Sequence, residues 1–479
     1  MVNYIRINNE KGIDRLRNVI KDIDILCINF EINNFKLFQN IQCKIDTLII
    51  VDNTLKSFEY FNLKVENIIC RNNQIDSFKY LNKDLNELDI RHNNIKSFED
   101  LNVNINLLNC NFNQLTTFKG IKIKINKLYC SFNQITSFEG LNHIKIEKLK
   151  CNNNQITSFE GLSSIKYLVC KNNLIKSFKG LYNTNINKLI CCFNNISSFE
   201  YLSSSIHILL CNNNQITSFE GLKVKLNILS CENNQITSFK NLNVEINELY
   251  CQNNQLITFE GLKYNLQILN CSFNQITSFK DLNVKVNRLF CQNNQIITFE
   301  GLKYNLQVLN CSFNQITSFK DLNVKVHYIH CQNNQLITFE GLKYNLKYLN
   351  CRFNQITSFK DLNVKVKELF CPNNQLITFE GLKYNLKYLN CSFNQIKSFN
   401  DLNVKVHYIH CQNNQLITFE GLKYDLQVLN CNSNQITSFK DLNVKVYKLY
   451  CQNNQIITFE GLKCNLKYLN CKNNDIELY

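Results

Sequence analysis

The sequence predicts a solenoid, one stack of short repeats with a parallel β-sheet along one side, and three observations carry that prediction. A 20-residue unit, L-x-x-L-x-C-x-x-N-Q-I-x-S-F-x-x-L, recurs about 23 times from about Ile28 to Tyr479; Leu266, Leu269, Cys271, Asn274, Ile276, Phe279 and Leu282 form one clean copy. Asn holds the ninth position of every copy, from Asn33 and Asn53 to Asn474. Apolar residues make up 44% of the chain and fall in register with the repeat, which separates it from Asn- and Lys-rich disorder. Each repeat of such an array contacts only its neighbours, so one continuous core is expected where length alone suggests about three domains.

Residues 1–27 do not fit the repeat. Ile13, Leu16, Val19, Ile20 and Ile23 fall at helical spacing between charged residues, which predicts a short amphipathic helix capping the N-terminal edge of the array in 28–479. Register slips by one residue near Cys151 and Cys191, in loops expected on the convex side. From about Cys251 the period doubles to 40, as T-S-F-K-D-L-N-V-K-V and I-T-F-E-G-L-K-Y-N-L alternate. Tyr479 stands where earlier copies carry Phe439 and Phe459, with no cap expected beyond it.

Within a repeat, counted from its first Leu, positions 3 to 7 are expected to form the strand. Alternation then sends positions 4 and 6 inward and 3, 5 and 7 onto the concave face. The Phe column at position 14, Phe38 to Phe459, is expected to stack as an aromatic spine. Position 9 lies where the strand turns, and its Asn amide is expected to bond backbone groups that lack a sheet partner.

Twenty of the 24 cysteines sit at position 6, where three repeats carry Phe30, Ile50 and Ile90 instead. A column that tolerates plain hydrophobes is a reduced core column, not a metal or disulfide ladder, and no zinc-type C-x-x-C pair occurs. Cys27, Cys43, Cys192 and Cys464 lie off it, with Cys192 expected to be the most reactive thiol. No cofactor is expected. The start lacks the apolar core of a signal peptide and no run reaches about 18 apolar residues, so a soluble intracellular protein is expected. The net charge of +15 invites an anionic partner, yet signs alternate at position 15 (Lys280, Glu300, Lys320, Glu340) and lysines such as Lys285 and Lys303 are dispersed. A dedicated nucleic-acid role is therefore disfavoured.

The L-x-x-L-x-C and N-Q-I blocks resemble the leucine-rich-repeat family, with short repeats similar to internalin and SDS22-type proteins. The AT-rich coding bias and 40-residue duplications are similar to leucine-rich-repeat proteins of amoeba-infecting giant viruses. The resemblance implies a leucine-rich-repeat solenoid with a curved parallel sheet on the concave face, an irregular or 3-10 convex side, and protein binding on the concave face.

Comparing the 40-residue copies locates the candidate site. Loop-side residues recur almost unchanged, as Lys280–Lys285 and Lys320–Lys325 show, whereas strand residues vary. Phe290, His327, Tyr328, His330, Tyr348, Phe370, Tyr388, His407, Tyr408, His410 and Tyr450 are the candidate partner-binding residues, aromatic anchors of the kind interfaces enrich. The expected function is a non-enzymatic scaffold for an unknown protein, possible in a host cell; the alternative is a structural protein that self-associates through its C-terminal edge. Binding of an anionic polymer ranks third, and no catalytic constellation stands out.

Overall fold

The computed structural model describes residues 4–16, 21–28, 41–59, 63–182, 184–462 and 466–476. The chain divides into two units, one of residues 1–235 with 241–246 and one of 236–240 with 247–479. In each, every repeat adds one short parallel strand beside the last. In the first unit Leu85–Asp89, Ile105–Asn109 and Ile125–Tyr129 pair in succession. In the second, Leu266–Asn270, Val286–Phe290 and Leu306–Asn310 do the same.

The strands cover positions 1 to 5, two residues earlier than expected. The reason lies at position 8, where the backbone turns to positive φ in nearly every repeat, 54° at Phe273 and 55° at Asn293. That turn ends the pleat before position 7. Ser272 is accordingly buried, and its hydroxyl donates to Asn270 Oδ1 at 2.8 Å. Asn tolerates this left-handed conformation, whereas Phe adopts it at a cost.

The core follows from the apolar columns. Leu269, Cys271, Ile276 and Phe279 are fully buried, as are their counterparts along both units as far as Ile456, whereas Phe459 is 42% exposed. Neighbouring Phe rings lie nearly parallel, for example Phe279 and Phe299 at 6.4 Å and Phe98 and Phe118 at 6.3 Å between centroids. The Asn column does what its position requires. Asn274 Oδ1 accepts from Leu256 N at 2.9 Å, while its Nδ2 donates to the carbonyls of Cys251, Cys271 and Ser272 at 3.0–3.1 Å. Each such Asn thus ties its own repeat to the preceding one. The thiols add a weaker tie, since Cys271 Sγ donates to Phe290 O at 3.6 Å.

The N-terminal segment is more than a helix. Helix Glu10–Leu16 lies between strands Tyr4–Ile7 and Ile23–Ile28, which pair in parallel with each other; Ile23–Ile28 then pairs with Lys44–Ile50. Ile23, expected on the helix, opens a strand because Ile23, Leu26 and Ile28 continue the core columns of the array. Val19, Ile20, Phe30, Asn33, Phe38, Cys464 and Tyr479 lie outside the described residues. The loop side consists of bends and turns, with no 3-10 helix among the described residues. Position 17 closes a single turn on position 14, as Leu282 N does on Phe279 O at 2.9 Å, and the chain then leaves for the next strand.

The doubled period has a packing cause. Gly301, at φ 97°, lies against the backbone of Phe279 and Lys280, where a side chain would collide. Lys280 pairs with Glu300 at 3.2 Å and Lys303 Nζ donates to Asn283 Oδ1 at 2.6 Å. Thr298 Oγ1 then reaches Asp321 in the next pair at 3.1 Å. The K-D and E-G loops are two halves of one interlocking unit.

Candidate functional site

The strands of the second unit present positions 3 and 5 side by side. Strands Val326–His330, Leu346–Asn350, Val366–Phe370, Leu386–Asn390 and Val406–His410 carry five rings that stack in a zigzag between the two positions. His330 lies 4.9 Å from Tyr348, Tyr348 5.0 Å from Phe370, Phe370 4.8 Å from Tyr388, and Tyr388 5.1 Å from His410. Tyr408 joins at 6.3 Å from Tyr388, and Tyr328 is in register with Tyr348. All are half-buried.

Burial sets the charge state of this ladder. It lowers the His330 and His410 imidazoles below their ordinary value and raises the Tyr348 and Tyr388 phenols, so both residue types are held neutral. A continuous neutral aromatic surface results. Polar groups flank it, since Asn350 and Asn390 occupy position 5 of the alternate strands. Beneath it, Gln332 and Gln412 each bury a side-chain oxygen with no hydrogen-bond partner, as do Gln252 and Gln292 in earlier repeats.

Not every candidate joins the ladder. Phe290 lies in register between Asn270 and Asn310, with the Arg288 guanidinium 6.0 Å from its ring. Tyr450 stacks instead on Tyr468 at 5.1 Å. His327 and His407 occupy the second strand residue, off the ring row, where His407 Nδ1 lies 3.5 Å from Leu386 O.

The constancy of the loop-side residues also finds a physical explanation. Exposed Lys320 and Glu340 pair at 3.2 Å, and Lys360 and Glu380 at 3.1 Å, so these side chains are held by inter-repeat contacts. Those contacts give the constant loop residues a structural role.

Among the described residues no cluster of His, Cys, Asp and Glu could hold a metal, and no helix is long and apolar enough to cross a membrane. Cys192 is a correction: it is 5% exposed, packs with Val169 and Ile190, and donates its Sγ to Leu210 O at 3.5 Å. Burial raises its thiol, so it is not the readily ionised cysteine expected. Cys27 and Cys471 are the more accessible. Sequence reading also missed a column of exposed Phe at position 8, Phe273, Phe313, Phe353 and Phe393, each about half exposed and at positive φ. The signal was the alternation of Phe with Asn there.

No protein-family model matches the chain, and no curated protein sequence does. Among solved structures, a chain of the glycosylated Toll–Spatzle complex of Drosophila is similar over 91% of this chain and 65% of its own, at 15% identity and a TM-score of 0.56. The fold is a leucine-rich-repeat solenoid. YopM from Yersinia enterocolitica is similar over 100% of this chain and 88% of its own, at 19% identity and a TM-score of 0.49. An internalin from Listeria monocytogenes covers 69% and 86%, at 17% identity and 0.37. At these identities the likeness is one of fold, and function is argued from the surface.

Proposed function

We propose that the protein is a non-enzymatic binding scaffold whose aromatic ladder, from His330 to His410, engages a protein partner on the sheet face. The observation that carries this is the unbroken row of five contacting rings, two contacts tilted and two stacked, on successive strands. Interfaces concentrate their energy in a few buried aromatics surrounded by polar groups, and the rings between Asn350 and Asn390 have that composition. An intracellular setting, a host cytoplasm if the source is viral, suits a column of buried free thiols.

Affinity capture with quantitative mass spectrometry tests the proposal. A partner enriched by the wild type should be lost with Tyr348→Ala/Phe370→Ala and kept with the loop-side Lys285→Ala/Lys325→Ala. The reverse result would move the working face to the loops.

Self-association is a second reading, favoured by the exposed apolar columns of the second unit, Phe273 to Phe393 and Ile257 to Ile457. Sedimentation velocity that shows concentration-dependent assembly, removed by Phe313→Asn/Phe353→Asn, would support it.

A further inference from the structure

The first unit gathers lysines that the sequence appears to disperse. Strands Ile125–Tyr129, Lys145–Lys150, Ser164–Val169 and Lys188–Ile190 carry Lys127, Lys145, Lys148, Lys150, Lys166 and Lys188 against one carboxylate, Glu147. Among the described residues none of the six forms an ion pair, whereas loop-side lysines of the same unit do, Lys119 with Glu139 at 2.9 Å and Lys179 with Glu160 at 3.1 Å.

Parallel register interleaves these cations with rings. Lys127 lies beside Lys148, Lys148 beside Tyr167, and Tyr167 beside Lys188; two residues along, Tyr129 lies beside Lys150. Lys150 Nζ is 4.6 Å from the Tyr129 ring centre, and Lys148 and Lys188 are 4.8 and 5.4 Å from that of Tyr167. The crowding has a cost. Burial first, then repulsion from Lys150, Lys127 and Lys188, lowers the Lys148 ammonium below its ordinary value.

A cleft of about 850 Å³ adjoins this row, lined by Lys122, Lys124, His143, Lys145 and Lys166 and by the one carboxylate Glu147. It opens where the repeats lose their regular length, since Cys130, Cys151, Cys170 and Cys191 are spaced by 21, 19 and 21 residues. The extra residues fall in the loops entering the strands, as at Leu141–Ile146, where Ser163 Oγ bonds the carbonyls of Leu141 and Ile144. Length changes confined to one set of loops are how repeat arrays build a binding edge.

We infer that this lysine–tyrosine row and its cleft bind single-stranded nucleic acid. The row from Lys127 to Lys188 crosses three strand spacings, about 14 Å at 4.7–4.9 Å each, and so suits a linear polyanion better than a single phosphate. Phosphates take the ammonium groups from the rings, and the freed Tyr129 and Tyr167 faces stack bases. Duplex binding is disfavoured, because a flat strand face presents nothing to enter a groove.

Fluorescence anisotropy of the full chain with labelled oligo(U) and oligo(dT), titrated with salt, tests the inference. Binding should weaken steeply with salt, and Lys148→Gln/Lys150→Gln should flatten the log–log slope by about 1.4, roughly 0.7 per charge removed. Tyr129→Leu/Tyr167→Leu should weaken binding roughly tenfold or more without changing that slope. Lys148→Arg/Lys150→Arg should restore binding, which separates charge from misfolding, and Lys280→Gln/Lys320→Gln in the second unit should have no effect. Absence of oligonucleotide binding at low salt overturns the inference. So do tyrosine variants that bind like wild type, which would leave charge alone, and preferential binding of phosphatidylserine vesicles or a phosphopeptide.

Discussion

Asn354 shows how a single side chain holds the array together. Its Oδ1 accepts from Leu336 N at 2.9 Å and its Nδ2 donates to Cys331 O at 3.1 Å and Cys351 O at 2.9 Å. Asn354→Ala leaves these buried groups unpaired and should cost at least about 1–3 kcal/mol in denaturant unfolding. Cys351→Ala should cost less than Leu349→Ala, which removes more buried atoms, at about 2–5 kcal/mol. Thiol labelling under native conditions should modify Cys27 and Cys471 before Cys192 and before the column, with mass spectrometry giving the order. At this scale the Asn and Cys columns were legible because each residue type recurs at one position with one burial. Cys192 was not. Its burial comes from Val169, Ile190 and Leu210 on adjacent strands, and no periodicity within one repeat reports that cluster.

Strands and loops were legible in kind but not in bounds. Alternation of Leu and polar residues indicated a strand, yet only the left-handed turn at position 8 shows that it ends at position 5. Gly341 is the strictest loop position, with φ 98° and the backbone of Phe319 and Lys320 where a Cβ would go. Gly341→Ala should destabilise the second unit by more than about 1 kcal/mol. Asp321→Ala, at the same position of the paired loop, should cost less because only the exposed bond from Thr298 is lost; thermal unfolding of both variants makes the comparison. The aromatic ladder was partly legible. Residue types marked all five ladder rings, His330, Tyr348, Phe370, Tyr388 and His410, but the ring contacts join these while leaving Phe290 and Tyr450 outside. The basic row of the first unit was hidden because its lysines are far apart in sequence and adjacent only across strands.

Across the whole chain, the buried thiols link stability to alkaline pH. An ordinary thiol titrates near 9.0, whereas burial pushes Cys311 and Cys451 up to about 12. Between those values the unfolded chain has released protons that the folded chain still holds, so stability falls as pH rises, by about 1.4 kcal/mol per pH unit for each such thiol. The thiol contribution should be flat below about pH 8.5 and fall steeply above about pH 9. Urea midpoints across that range check it, and replacing several column cysteines by Val should flatten the fall. Deleting residues 1–27 should promote aggregation, because it removes buried Ile13, Leu16, Ile23 and Leu26 and uncovers strand Lys44–Ile50. Light scattering of the truncated chain against one cut after Lys440 compares removal of the N-terminal segment with a cut inside the regular array.

Whether the sheet face or the loop side of the second unit meets the partner is decided most directly by site-specific photo-crosslinking. A photoreactive phenylalanine analogue placed at Tyr388 on the ladder, or at Lys320 on the loops, reports which surface lies against a captured protein. Crosslinks to one defined partner from position 388 and none from 320 are expected, and the opposite pattern would contradict the ladder as the binding surface.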